Sequence, residues 1–234
     1  MKAFWLSGNM LKIIAAISMT IDHIGIILFP DNMLLRIIGR LAFPIFAFLI
    51  AEGCRYTKNK PRYFFVMAFF AVVFQAFYTL FTADMYLNIF FTLSFAILII
   101  YSLQFFSDAI KSKNVMKSIF SSTLVIFIIA CVYIVGRYFM IDYGFWGCML
   151  PTFAYVVPVG TSIFMKLLRI ALFGVGMFPL IGSVEIPVQA YEYLALIPLL
   201  FYNGKRGKYN MKYFFYIFYP LHIVIIYAFD ILIT

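Results

Sequence analysis

Apolar positions run along this chain in long blocks, and the few polar ones mark where the blocks end. A helix that crosses a bilayer needs about 20 predominantly apolar residues. Scanning on that basis gives nine candidate segments, roughly 11–29, 33–52, 62–82, 87–107, 116–136, 144–160, 165–182, 188–202 and 213–232. Pro151 and Pro158 interrupt the sixth, and Pro179, Pro187 and Pro198 punctuate the next two, so that stretch admits kinks, a re-entrant piece or a merged pair. No connection exceeds roughly a dozen residues, too short for a separate folded unit. The expectation is all-α: a single integral membrane domain over residues 1–234, built as a polytopic helical bundle of about nine transmembrane helices.

The connections alternate in sign. Those at 54–61 (Arg55, Lys58, Lys60, then Arg62), 108–117 (Lys111, Lys113, Lys117), 161–169 (Lys166, Arg169) and 203–212 (Lys205, Arg206, Lys208, Lys212) are basic. The alternate ones carry Asp31, Asp84, Asp142 and Glu185, with Arg137 as their only cation. Basic short loops stay on the cytoplasmic side, which predicts a cytoplasmic N-terminus and an outer C-terminus. The setting expected for such a protein is a membrane with one cytoplasmic face, with membrane lipids as its surroundings. Tyr78, Tyr86, Tyr101, Tyr202, Tyr209 and Tyr213 lie near segment ends, where interfacial aromatic belts form.

Composition agrees: 65% of the 234 residues are hydrophobic and only 12% charged, with a mean hydropathy of +1.02, far from the soluble range. The net charge of +9 does not point to nucleic acid, because the cations sit at segment ends. Cys54, Cys131 and Cys148 are odd in number and lack CxxC spacing, so neither a disulfide framework nor a metal site is expected. Lys2 and Lys12 precede an apolar run as in a secretion signal, but Asp22 and His23 lie inside it and no cleavage pattern follows, so a retained first span is expected. HExxH, GxSxG, Walker A and GxGxxG are absent.

Ionisable groups inside a span cost at least a few kcal/mol each, and their clustering marks a functional site. Asp22, His23, Arg36, Arg40 and Glu52 all fall within the first two segments. Ala15, Ser18, Asp22 and Gly25 share one helical stripe and Ala16, Thr20 and His23 the next, a small polar seam that faces protein. Imidazole is suited to take a proton from an amine or hydroxyl at neutral pH; a hydrogen-bonded interior histidine is the alternative. Neighbouring helical residues point about 100° apart, so Asp22 is free to pair with an arginine. Arg36 and Arg40 lie one turn apart on the same face, Arg36 near the end where it can snorkel. Arg40 lies deeper, for an ion pair with Asp22 or for an anionic ligand. Pro44 frees the carbonyl of Arg40. Asn88 and Thr92 share a face, where hydrogen bonding between helices is a sufficient role. Tyr219 and His222 lie in the last segment, and the two histidines can share a cavity if the first and last spans meet. The loop YNGKRG at 202–207 is either a plain positive-inside loop or, through Lys205 and Arg206, a contact for cofactor phosphates.

The runs LKIIAAISMTIDHIG, LRIIGRLAFPIFAFLIAEG with Thr57 and Asn59 after it, NIFFTL at 88–93, DYGFWG at 142–147, YEYLALIPLLFYNGKRG and FYIFYPLHI resemble the TraX family of integral membrane proteins, over about residues 9–227. Asp22, His23, Arg40, Glu52, Asn88, Asp142 and His222 match positions that recur in those motifs. The family's founding member acetylates the N-terminus of F-type pilin, and the family is grouped with membrane acyltransferases that use acetyl-CoA. The segment Phe43 to Phe46 is similar to one in the lysosomal glucosamine N-acetyltransferase type.

The resemblance implies transfer from acetyl-CoA to an amine or hydroxyl on a peptide, glycan or lipid acceptor. His23 would act as general base, Asp22 would orient or balance it, and Arg40 would stabilise the thioester oxyanion or a neighbouring carboxylate. Direct transfer and an acetyl-His23 intermediate both fit. The charge alternation puts Asp22, His23, Arg36 and Arg40 in the outer half of the membrane, so a cytosolic donor would need a tunnel to reach them. A transporter or flippase using the same charges is the rival class, and an assembly factor without chemistry a third.

Overall fold

A computed structural model describes residues 5–82, 86–160, 162–183, 187–209, 211 and 213–233. Lys2, Asp84, Glu185 and Lys212, which enter the loop readings above, lie outside them. The chain is almost wholly helical: α1 (Gly8–Ile27), α2 (Met33–Gly39), α3 (Ala42–Tyr56), α4 (Lys60–Thr82), α5 (Ile89–Lys111), α6 (Val115–Tyr138), α7 (Gly144–Val156), α8 (Ile163–Gly182), a 3-10 helix (Pro187–Ala195), α9 (Leu196–Leu200) and α10 (Phe214–Ile233). Starts are set by polar side chains of the expected type. Ser7, Asn32, Asn88, Asn114 and Ser162 each accept a hydrogen bond from an N–H of the first turn they precede.

Among the described residues seven helices are long and apolar enough to cross a membrane, counting Met33–Tyr56 as one. All nine expected segments are helical, but the sixth and eighth are short. At 13 residues α7 reaches about 20 Å by its helical rise, against a hydrocarbon core of about 30 Å. In the eighth, the apolar run is a 3-10 helix followed by one short α-turn.

The described chain groups into two compact units, Met1–Leu49 with Gly160–Thr234, and Ile50–Val159. In the second unit α5 is central, packing on α4, α6 and α7 and burying Leu93, Ala96, Ile97 and Ile100. Two residues each of β1 (Tyr86–Leu87) and β2 (Met140–Ile141) pair in parallel, Tyr86 opposite Met140 and Leu87 opposite Ile141. Asp142 N donates to Leu87 O (2.9 Å), Tyr86 OH to Asp142 Oδ1 (2.7 Å) and Thr92 Oγ1 to Asp142 O (2.6 Å). Tyr143 and Gly144, both with φ near +60°, then turn the chain into α7. Asn88 is held from both sides, its Oδ1 accepting from Phe90 N (3.0 Å) and its Nδ2 donating to Ala71 O (2.9 Å). Asn88→Ala is expected to lower stability by about 1–2 kcal/mol, the scale of a lost cap, read as an earlier thermal midpoint in detergent.

In the first unit α1 packs on α2 and α10, and the 3-10 helix on α2, α8 and α9. Phe48 centres its core, edge-on to Phe173 (5.5 Å between centroids) and Tyr202 (5.9 Å). Arg169, expected in a basic connection, is instead buried in α8, its guanidinium 4.4 Å from the Phe48 ring centroid. The reason is the cap at Ser162, which starts the helix at Ile163. A cation over an aromatic face keeps part of its solvation energy inside the protein.

Candidate functional site

The first unit brings the ionisable residues together. The stripe expected on α1 is buried as read, with Ala15, Ser18, Asp22 and Gly25 facing protein. Glycines let α2 approach it: a Cβ at Gly25 would stand 2.8 Å from Leu35 Cβ, and one at Gly39 would overlap the Asp22 carboxylate. The second apolar segment does not continue as one helix with a kink. It stops at Gly39 and restarts at Ala42, because Pro44 has no N–H to give Arg40 O and fits only in the first turn of a new helix. Arg40 therefore sits at the break, buried at 7% exposure.

Both arginines converge on one carboxylate. Arg40 Nη2 donates to Asp22 Oδ1 (2.9 Å) and Oδ2 (2.7 Å), and Arg36 Nη1 lies 3.0 Å from Oδ2. Arg40 Nη1 donates to Gln189 Oε1 (3.0 Å), and Gln189 Nε2 donates to Glu192 Oε1. The chain Arg36, Asp22, Arg40, Gln189, Glu192 holds two formal positive and two formal negative charges, a balance that a low-dielectric interior demands. Gln189 and Glu192 are three residues apart in a 3-10 helix, whose three-residue turn eclipses them on one face. That face is buried: Gln189 is 2% and Glu192 0% exposed.

Neither residue figures among the sequence-derived candidates. The signal was present, since a glutamate inside an apolar segment follows the same rule that singled out Asp22. Gly39→Ala tests the tightness of the cluster: its methyl would meet Asp22, and a loss of about 1–3 kcal/mol is expected from overpacking, measured by thermal unfolding in detergent beside Gly182→Ala, where a Cβ would meet nothing within 4 Å.

The histidines meet as expected from pairing the first and last spans. His222 Nε2 is 3.0 Å from His23 Nδ1, with ring centroids 4.9 Å apart. His23 Nδ1 also lies 2.9 Å from Met19 O, and His222 Nδ1 2.9 Å from Phe218 O. Phe218 stacks on His222 at 5.1 Å and Tyr219 meets it edge-on at 5.8 Å. His222 is buried and His23 half-buried, so the pair has one closed and one open member. Asp22 is bound to the arginines, and the polar contacts of the His23 ring run to His222 and the Met19 carbonyl.

The remaining candidates lie elsewhere. Glu52 (buried), Asn88 and Asp142 belong to the second unit, where Asn88 and Asp142 hold local structure. Lys205 and Arg206 have exposed side chains on a loop whose backbone caps α1: Lys205 O accepts from Gly8 N and Arg206 O from Asn9 N, both at 2.8 Å. Gly207, at φ +100° and against Ser7 and Asn9, allows that close wrap. No group of three or more His, Cys, Asp or Glu that could hold a metal occurs among the described residues.

Together these features define a polytopic helical membrane protein with a buried arginine–carboxylate cluster and a histidine pair. The chain belongs to the TraX family, described as TraX protein, which matches residues 7–230. It is similar to a probable fimbrial assembly protein FimC, serogroup H1, of Dichelobacter nodosus, at 28% identity over 94% of each chain. It also resembles an uncharacterized protein of Rickettsia prowazekii (strain Madrid E), 48% identical over 54 residues, 23% of this chain and 21% of that one. No solved structure matches.

Proposed function

We propose that this TraX-family protein is a membrane-embedded acyltransferase that moves an acetyl group from acetyl-CoA to an amine or hydroxyl acceptor. The observation that carries the reading is the half-open His23, hydrogen-bonded to the buried His222 in the unit that also holds the Arg36, Asp22, Arg40 cluster. The donor supplies acetyl activated as a thioester. His23 takes the proton of the attacking amine or hydroxyl. Arg40, enclosed by Asp22 and Gln189, contributes fixed positive charge, while Arg36, with a side chain 21% exposed against 8% for Arg40, is the guanidinium a substrate reaches.

The residues present fit a donor bearing phosphates. Lys205, Arg206 and Lys208 are exposed together on one loop, and because its carbonyls cap α1, their side chains are the groups that meet phosphate. His23 lies 15 residues along α1 from Gly8, about 22 Å by helical rise. With the basic connections cytoplasmic, as the positive-inside rule sets them in a bacterial inner membrane, a donor bound there must extend its acyl end inward. The name of the Dichelobacter nodosus relative favours a peptide amine on a fimbrial-type subunit as acceptor over a glycan or lipid.

Purified protein given labelled acetyl-CoA and a peptide with a free N-terminus is expected to transfer the label. A second reading rests on that same relative's name: an assembly factor without chemistry. Under it, no label moves, and variants at His23 support fibre assembly as well as the parent does.

A further inference from the structure

We propose that His222 is a positioning residue that fixes the ring and tautomer of His23, leaving Nε2 of His23 as the nitrogen that takes the acceptor's proton. The inference rests on the reading of His23 as the base.

The tautomers follow from the partners. Phe218 O, 2.9 Å from His222 Nδ1, can only accept, so Nδ1 of His222 carries hydrogen and its Nε2 carries the lone pair when the ring is neutral. That lone pair faces His23 Nδ1 at 3.0 Å. Two bare nitrogens at this separation would repel, so His23 Nδ1 is the donor. Met19 O, 2.9 Å from the same atom, imposes the same choice independently. Two acceptors on one nitrogen leave Nε2 of His23 unprotonated. When that nitrogen gains the acceptor's proton, the Nδ1–H of the resulting imidazolium still donates to His222 Nε2, and the proton returns from Nε2 to the thiolate leaving group, so no net charge accumulates on the pair. His222 is in turn held by the stacked Phe218 and edge-on Tyr219 and by its place in the buried side of α10. A carboxylate does the corresponding work in hydrolytic triads; an imidazole acceptor does it here without adding another buried charge.

The chain has only two histidines, so full-length protein with a non-histidine affinity tag, labelled with 15N in histidine, gives a spectrum of this pair alone. The expected spectrum shows protonated Nδ1 and unprotonated Nε2 on both rings. His222→Leu should let the other His23 tautomer appear and lower kcat about 100-fold, the lower end of a general-base contribution, with KM for acetyl-CoA unchanged. His222→Gln, whose amide oxygen can accept from Nδ1–H, should stay within about tenfold of the parent. A wild-type His23 protonated at Nε2 overturns the proposal, as does a His222→Leu enzyme turning over at the parental rate. Wild-type protein that transfers no acetyl at all would sink the enzyme reading, while the spectrum still decides the tautomer.

Discussion

Asp22→Asn is expected to destabilise the protein by about 3–5 kcal/mol, the cost of breaking a buried ion pair from one side, and more than Arg40→Met does. The ranking follows from how charge is shared. Arg36 and Arg40 both converge on the Asp22 carboxylate. Without its charge, two guanidiniums one turn apart repel across a neutral amide. Loss of Arg40 leaves Asp22 with Arg36 at 3.0 Å, and leaves Gln189 bonded to Glu192. That variant loses the hydrogen bond to Gln189 Oε1, at about 1–3 kcal/mol for a buried group left unsatisfied. Combining the two should recover part of the Asp22→Asn loss, since the double variant removes one charge of each sign. Thermal unfolding of the four proteins in one detergent checks this as a cycle; additive losses would mean the cluster does not act as a unit.

What the sequence made legible here was the seam, and what it hid was the partner on the far side. Asp22, Ser18 and Gly25 could be assigned to one buried stripe because α1 is a regular helix, where period alone sets facing. The pairing of Asp22 with an arginine was one of two readings left open by its 100° offset from His23, the other being an Asp22 that orients the ring. Glu192 was legible by the rule that singled out Asp22, but its alignment with Gln189 was not, because the 3-10 geometry of Pro187–Ala195 has no signature in composition. The break at Arg40 was half legible: Pro44 signalled a disturbed helix, but a kink and a restart remove the same hydrogen bond. Asn88, for which hydrogen bonding is a sufficient role in the sequence reading, and Asp142, which sits in a connection, entered as site candidates through their match to the TraX motifs. The cap that Asn88 gives α5 is a local signal, whereas its bond to Ala71 O and the β1–β2 ladder beside Asp142 are tertiary facts that no local pattern carries. The meeting of His23 and His222 depended on α1 packing against α10, a contact between residues 199 apart.

His23→Ala should separate chemistry from folding more cleanly than any variant in the charge cluster. Its side chain is half-buried, and its Nδ1 contacts the Met19 carbonyl and the His222 ring. The structural cost is then the unsatisfied His222 nitrogen, about 1–3 kcal/mol, with no buried charge left over. The proposed catalytic cost is larger, about 10²–10⁴ in kcat, the scale of general base catalysis. Because a base acts on the proton in flight and not on the bound donor, the loss should fall on kcat while KM for acetyl-CoA holds. Added imidazole should restore part of the rate, since the missing ring leaves a space beside a nitrogen that already accepts its hydrogen bond. Unchanged turnover in His23→Ala would take His23 out of the reaction. A lower rate explained wholly by less folded protein, with no recovery in imidazole, would assign the pair to holding α1 against α10.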